Sequence, residues 1–171
     1  MDGCVVNLSY RDAGIEDLPG IVEIYNSTIP LRMVTADTEA VTLESRLGWF
    51  EAHTPAKRPL WVVSEGTSRI IGWVSFQDFY GRPAYDRTAE ISIYLDNAQR
   101  GKGFGKIILQ HCIDVCPSFG IKTLLGFIFE HNEPSLMLFR RLGFDDWGTL
   151  QNVAVIDGIE RSLKIVGKRI T

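Results

Sequence analysis

Within a few residues of position 100 the hydrophobic pattern changes its period, and this change restricts the possible folds more than any other feature of the chain. Ala89, Ile91, Ile93 and Leu95 alternate with Glu90, Ser92 and Tyr94, the period of two that belongs to a strand with unlike faces. From Phe104 onward, Phe104, Ile108, Cys112 and Cys116 fall on one helical stripe, which Leu109 and Ile113 widen. Between the two lies Arg100-Gly101-Lys102-Gly103-Phe104-Gly105-Lys106. Three glycines remove side chains where the turn is made, so main-chain N–H groups can face a ligand. Amides left unpaired at a helix N-terminus, helped by the helix dipole, suit a phosphate or pyrophosphate. Arg100, Lys102 and Lys106 add positive charge around the same loop. The strand, loop and helix therefore predict a sheet with a helix laid on it and an anion site at their junction.

Spacing narrows the anion. A dinucleotide fingerprint needs a third glycine where Lys106 stands, and Ile121 to Leu125 offers no acidic residue at the ribose-binding distance. A phosphate loop of the Walker type fails as well, because Ile107 follows Gly105-Lys106 and Arg100 occupies the place of its first glycine. The net charge of -3 argues against nucleic acid as the partner, since a surface that tracks phosphates would leave the chain basic. Cys4, Cys112 and Cys116 cannot all pair, and the last two sit four apart on a predicted helix; they are expected to be reduced, which fits the cytoplasm. His53, His111 and His131 do not cluster with them at zinc spacings, so no metal site is expected. Met1 to Ser9 lacks the features of a signal peptide and no run reaches membrane-spanning length, so no membrane partner is expected either.

Read in order, 171 residues fit one domain, 1–171. Val5 to Tyr10 reads as a strand, Arg11 to Gly14 as a turn, and Ile15, Leu18, Ile21, Val22, Ile24 and Tyr25 as the apolar face of a helix. Asn26 to Thr38 reads as a loop carrying Arg32. Thr42 caps a second helix that shows Leu43, Leu47 and Phe50. Leu60 to Val63 and Ile70 to Phe76 flank Gly66-Thr67-Ser68 as a hairpin, and Asp78 to Arg87 reads as an ordered loop. Leu124 to Phe129 is an unbroken apolar run, as in a strand buried on both faces. Pro134 opens a helix over Ser135 to Leu142 that Gly143 closes. Phe144 to Trp147 and Asn152 to Ile156 follow, then the turn Asp157-Gly158 and a last strand from Arg161 to Lys168. The order β-α-α-β-β-β-α-β-α-β-β describes an α+β domain whose mixed, mainly antiparallel sheet is covered by helices.

Arg100-Gly101-Lys102-Gly103-Phe104-Gly105 resembles the acyl-CoA loop of the GNAT N-acetyltransferases, [Gln/Arg]-x-x-Gly-x-[Gly/Ala]. Asp17-Leu18-Pro19, Ile24-Tyr25-Asn26, Arg82-Pro83-Ala84-Tyr85, Glu90, Tyr94 and Leu142-Gly143-Phe144 are similar to marks of the phosphinothricin and amino-acid acetyltransferases within that family. The resemblance implies a GNAT fold and acetyl-CoA as donor. Main-chain groups of Ile93, Tyr94 and Leu95 would meet its pantetheine arm, and Arg100, Gly101, Lys102, Gly103, Phe104, Gly105 and Lys106 its pyrophosphate. Asn132 matches an asparagine that faces the cofactor, and Arg141 lies near the matching helix end; on the residues alone, a helix-entry turn and a solvated helix face serve as well. Glu90 would be the general base, although a lone Glu on a strand is more often a surface or ion-paired group. The N–H of Leu95 or its neighbour would meet the thioester oxygen.

Arg82 and Tyr85 stand where the family holds its amino-acid substrate, and an arginine fork suits a carboxylate; a solvated Arg and a packing Tyr are the plain alternative. Family members of this kind imply a homodimer and a small-molecule amine acceptor. The chain departs from the pattern at Phe139, where the family carries Tyr or His as a proton donor, and at Tyr80, Ala36 and Asp157 to Glu160 around the substrate. Those departures put phosphinothricin itself in doubt and leave a non-catalytic acyl-CoA sensor as the alternative to an enzyme.

Overall fold

Strand segments whose apolar residues recur at every second position are gathered into one sheet in the computed structural model, which describes residues 7–66 and 69–171. The elements run β1 (Leu8–Asp12), α1 (Leu18–Thr28), α2 (Leu43–Glu51), β2 (Leu60–Glu65), β3 (Arg69–Asp78), β4 (Thr88–Leu95), α3 (Phe104–Val115), β5 (Thr123–Phe129), α4 (Glu133–Arg141), β6 (Asp145–Ile156) and β7 (Ile159–Arg169). The seven strands lie in the order β1-β2-β3-β4-β5-β7-β6. Among the described residues only the central pair, β4 with β5, is parallel. The mixed, mostly antiparallel sheet and the element order agree with the expectation from sequence. Val5, Val6, Cys4 and the turn residues Thr67 and Ser68 lie outside the described residues.

Period-two patterning sorts the two faces. Val74, Phe76, Ala89 and Ile91 point to one side, where they join Phe104, Ile108, Leu109, Cys112 and Ile113 of α3 and Leu136 and Phe139 of α4 in the larger apolar core. Trp73 points to the other side and packs with Ile21, Ile24 and Tyr25 of α1. Helices therefore cover both faces, and β5 is buried on both, as its unbroken apolar run predicts. Cys112 and Cys116 are wholly buried free thiols, and burial pushes the Cys116 thiol up to about 12, so neither is poised for redox chemistry.

Several local readings are corrected. Ile15 is not on the apolar face of α1: Ile15–Asp17 forms a separate short 3-10 turn and Ile15 is 56% exposed. The buried place is taken by Asp17, whose carboxylate accepts two hydrogen bonds from Arg11 and one from the Gly14 N–H, which holds its pKa below the usual range. The helix also continues through Asn26, Ser27 and Thr28, since the hydroxyls of Ser27 and Thr28 donate back to the Ile24 and Tyr25 carbonyls. Cys116 belongs to a 3-10 turn beyond α3, where Pro117 ends the regular helix.

Arg11 and Asp12, read as turn, end β1, and Asp145 to Trp147 and Asn152 to Ile156 are joined in the single strand β6; the α2 cap and the β6–β7 turn agree with the sequence reading. The Thr42 hydroxyl accepts from the Ser45 N–H at the start of α2. Both Asp157 (φ 51°) and Gly158 (φ 77°) have positive φ, as the two-residue turn between β6 and β7 demands. Leu43 and Leu47 of α2 remain about 40% exposed.

Candidate active site

On the α1/α2 face, three cross-strand pairs of β3 and β4 form a ladder: Trp73 opposite Tyr94, Ser75 opposite Ser92, and Gln77 opposite Glu90. The first pair stacks, with ring centroids 4.4 Å apart and planes 12° from parallel. α1 contributes Ile21, Val22 and Tyr25 and α2 contributes Arg46 and Trp49, so that ladder and helices line a half-open cavity of about 260 Å³. Its walls are aromatic, and its floor is polar.

Glu90 is half-buried on this floor, and loss of water pushes its carboxyl above the ordinary carboxylate range. Arg46 is paired with Asp37 at 2.8 Å, and its guanidinium lies 4.5 Å from the Tyr25 ring centroid. The Tyr25 hydroxyl is held by Thr35 and Asp37, which fastens the loop after α1 over the cavity. Behind the floor, His53 of the α2 C-terminal turn bonds through Nδ1 to the Trp49 carbonyl (2.8 Å) and through Nε2 to the Ser75 hydroxyl (2.7 Å). Burial pushes the His53 pKa down.

The cavity adjoins a fork in the sheet. Parallel pairing of β4 with β5 runs from Thr88↔Thr123 to Glu90↔Leu125 and stops there, while β4 stays paired with β3 through Leu95. Asp96 donates its N–H to the Ile71 carbonyl at 2.8 Å. Peptide N–H groups alternate along a strand, so those of Ser92 and Tyr94 point to β3 and those of Ile93 and Leu95 point into the fork. Tyr94 itself is partly buried against Trp73 and Tyr25, and loss of water drives its hydroxyl well above its ordinary pKa, so it packs and stays protonated.

Beyond the fork comes the glycine loop. Gly101 (φ 74°) and Gly103 (φ 84°) are left-handed, and a Cβ built on either meets nothing within 4 Å, so both glycines serve backbone conformation and leave open space beside the loop. Among the described residues the amides of Gly101, Lys102 and Gly103 make no main-chain hydrogen bond, and those of Phe104 and Gly105 open α3 without an i−4 partner; Lys106 is the first to donate back, to Gly103 at 3.1 Å. Lys102 is held to Gln99 at 2.9 Å, Arg100 is half-buried, and Lys106 lies in the first turn of α3. Gly105 also lets α4 approach, since a Cβ there would stand 3.2 Å from Leu138. Free amides, a dipole and three cations suit a diphosphate.

The other sequence-derived site residues are scattered. Asn132 is the N-cap of α4: its Oδ1 accepts from Ser135 and its Nδ2 donates to the Met33 carbonyl, which leaves one N–H and one lone pair for anything else. Arg141 lies exposed in the last turn of α4. Arg82 and Tyr85 do not meet Glu90 in its cavity. They line a separate depression of about 410 Å³ with Lys57, Phe79 and Asp86. Phe139 is buried in the core, where Gly126 makes room for its ring: a Cβ on that glycine would stand 2.8 Å from it. The sequence reading missed His53, Ser75, Gln77, Arg46 and Trp49. Alternation along β3 marks Trp73, Ser75 and Gln77 as one face, but only the register against β4 brings them to Glu90.

Comparison with known proteins agrees with this geometry. Residues 20–144 match the family described as "Acetyltransferase (GNAT) family". The chain is 49% identical over 164 residues to YwnH of Bacillus subtilis (strain 168), covering 96% of this chain and 100% of that one. It is 34% identical over 148 residues to the L-methionine sulfoximine/L-methionine sulfone acetyltransferase of Pseudomonas paraeruginosa, covering 86% of each. The crystal structure of a GNAT superfamily phosphinothricin acetyltransferase from Sinorhizobium meliloti in complex with AcCoA superposes with a TM-score of 0.87 at 26% identity, over 95% of this chain and 88% of that one. Forked sheet, glycine loop and sequence likeness lead to one conclusion: the chain belongs to the GNAT family of acetyltransferases.

Proposed function

We propose that this enzyme transfers the acetyl group of acetyl-CoA to the primary amine of a small amino-acid-like molecule, by direct attack within a complex of donor, acceptor and protein. The observation that carries the reading is the position of Glu90, a half-buried carboxylate in a half-open cavity beside the β4–β5 fork. Bound acetyl-CoA supplies an activated acetyl thioester. The amides of Gly101 to Gly105, with Arg100, Lys102 and Lys106, would hold its diphosphate. The N–H groups of Ile93 and Leu95, pointing into the fork, are placed to steady the oxygen that gains charge. Glu90 takes a proton from the acceptor ammonium, directly or through one water, and its raised pKa brings it nearer the operating pH of such a base. The aromatic walls suit an acceptor with an apolar or sulfur-containing body. Relatives named for methionine sulfoximine and methionine sulfone support this acceptor class. The domain would span residues 1–171, work in the cytoplasm and pair as a homodimer.

Thiol release from acetyl-CoA, measured across amino acids, methionine derivatives, polyamines and peptides, tests the reading. Turnover with an amino-acid-like amine is expected, and silence across the panel contradicts it. Glu90→Gln should lower kcat by about a hundredfold or more while the Kd for CoA stays unchanged. Equal loss of both would make Glu90 structural. A second reading, an acyl-CoA binder without turnover, draws on Phe139, which fills the core where the family places a proton donor. A thiolate leaves without such help because its conjugate acid has a pKa of only about 8.5, so the enzyme reading is preferred.

A further inference from the structure

The polar floor of the cavity has a fixed hydrogen-bond polarity. A backbone carbonyl can only accept, so His53 Nδ1, 2.8 Å from the Trp49 carbonyl oxygen, carries a proton. In the neutral ring Nε2 is then bare, and its partner at 2.7 Å is the Ser75 hydroxyl, which must donate to it. Burial keeps the ring neutral by opposing the charged form. The consequence lies on the cavity side. With its proton turned toward His53, Ser75 Oγ has only lone pairs to offer a ligand. Ser75 is buried but lines the same cavity as Glu90, diagonally across the ladder, so two hydrogen-bond acceptors border one space. A group with several N–H bonds on one nitrogen satisfies both, as a primary amine does.

We propose that Ser75, held as an acceptor by His53, takes a hydrogen bond from the acceptor amine, and that the Ser75–His53 pair carries away the second proton which that nitrogen sheds on acetylation. The inference rests on the transferase reading above. Acylation of an ammonium releases two protons. The first goes to Glu90 and frees the nitrogen lone pair. The nitrogen then attacks the thioester carbon, the C–N bond forms, the C–S bond breaks, and sulfur leaves with the bonding electrons as a thiolate. The nitrogen, positively charged after attack, gives its second proton to Ser75 Oγ while the Ser75 hydroxyl proton passes to His53 Nε2. The imidazolium keeps its Nδ1–H on the Trp49 carbonyl and returns one proton to the thiolate or to water. Ser75 touches the amine and is catalytic in this scheme; His53 acts through it and is a positioning residue.

The variants Ser75→Ala and His53→Gln, each with kcat, acceptor KM, CoA Kd and thermal midpoint measured, test the pair. The glutamine can accept the serine hydrogen bond through its carbonyl oxygen and cannot take a proton. Each variant is expected to lower kcat by about tenfold or more with CoA Kd within about twofold of wild type, and the double variant should be no slower than the slower single one. Nitrogen NMR of the wild-type ring should show Nδ1 protonated and Nε2 bare, with the Nε2 resonance moving in Ser75→Ala. Retention of kcat within about twofold in Ser75→Ala or His53→Gln, additive losses, or a ring protonated on Nε2 overturns the proposal while leaving the transferase reading intact. Should His53→Gln fail to fold, Ser75→Ala and the NMR spectrum decide. A wild-type protein that acetylates no amine overturns both.

Discussion

Glu90 would be costly to the fold and, in the proposed chemistry, useful to the site. Its raised pKa means the folded protein holds the proton more tightly than the unfolded chain does. Folding stability from this group is therefore greatest at pH below the unfolded carboxylate value and declines as pH rises through the folded one. Glu90→Gln should accordingly raise the thermal midpoint at pH 8 by up to about 3 °C, with the gain vanishing near pH 4, in scans of both proteins across that range. The same sign governs activity: kcat/KM for the acceptor should rise with pH through a pKa above the ordinary carboxylate range, a limb that Glu90→Gln removes. Asp17 behaves oppositely, since Arg11 and the Gly14 amide hold its pKa down and its stabilising effect is lost as pH falls.

At the scale of elements, the site depends on two junctions that glycines make possible. Gly126 lets Phe139 lie on β5 and so seats α4 on the sheet; Gly126→Ala puts a Cβ 2.8 Å from that ring and 3.1 Å from Val166. A cost of about 1–3 kcal/mol in urea unfolding is expected, with CoA affinity affected less than stability. Gly103 plays the other part. Its φ of 84° is strained for any L side chain, and it opens α3 at the candidate diphosphate site. Gly103→Ala should weaken CoA binding by about tenfold or more in calorimetry, and the backbone strain should lower the thermal midpoint of the ligand-free protein by about 2–4 °C. The end of β4–β5 pairing at Glu90↔Leu125 belongs to this scale too, since a fully zipped pair would leave neither fork nor free amides.

Across the whole molecule, three chain segments far apart in sequence meet beside the loop after α1. The loop after α1 is tied to the β6–β7 turn by Arg32 and Asp157, and to the start of α4 through His131 on the Arg32 carbonyl and Asn132 on the Met33 carbonyl. No periodicity in the chain announces these ties, which is why Asn132 reads from sequence as a turn residue or a cofactor contact and stands in the structure as a cap and tether. What could be read in advance was whatever depends on local pattern: the strand at 89–95, the stripe from Phe104 to Cys112, the Asp157-Gly158 turn and the glycine loop between strand and helix. What could not was whatever depends on register. Ser75 faces Ser92 beside Glu90, and Arg82 opens onto another depression, only because β3 and β4 pair as they do. No helix among the described residues is long and apolar enough to cross a membrane.

A crystal structure with acetyl-CoA tests the central claim most directly. The account predicts the diphosphate within hydrogen-bond distance of main-chain amides between Gly101 and Gly105, with the thioester in the β4–β5 fork facing Glu90. A cofactor seated elsewhere, or a thioester turned away from the Glu90 cavity, would contradict it.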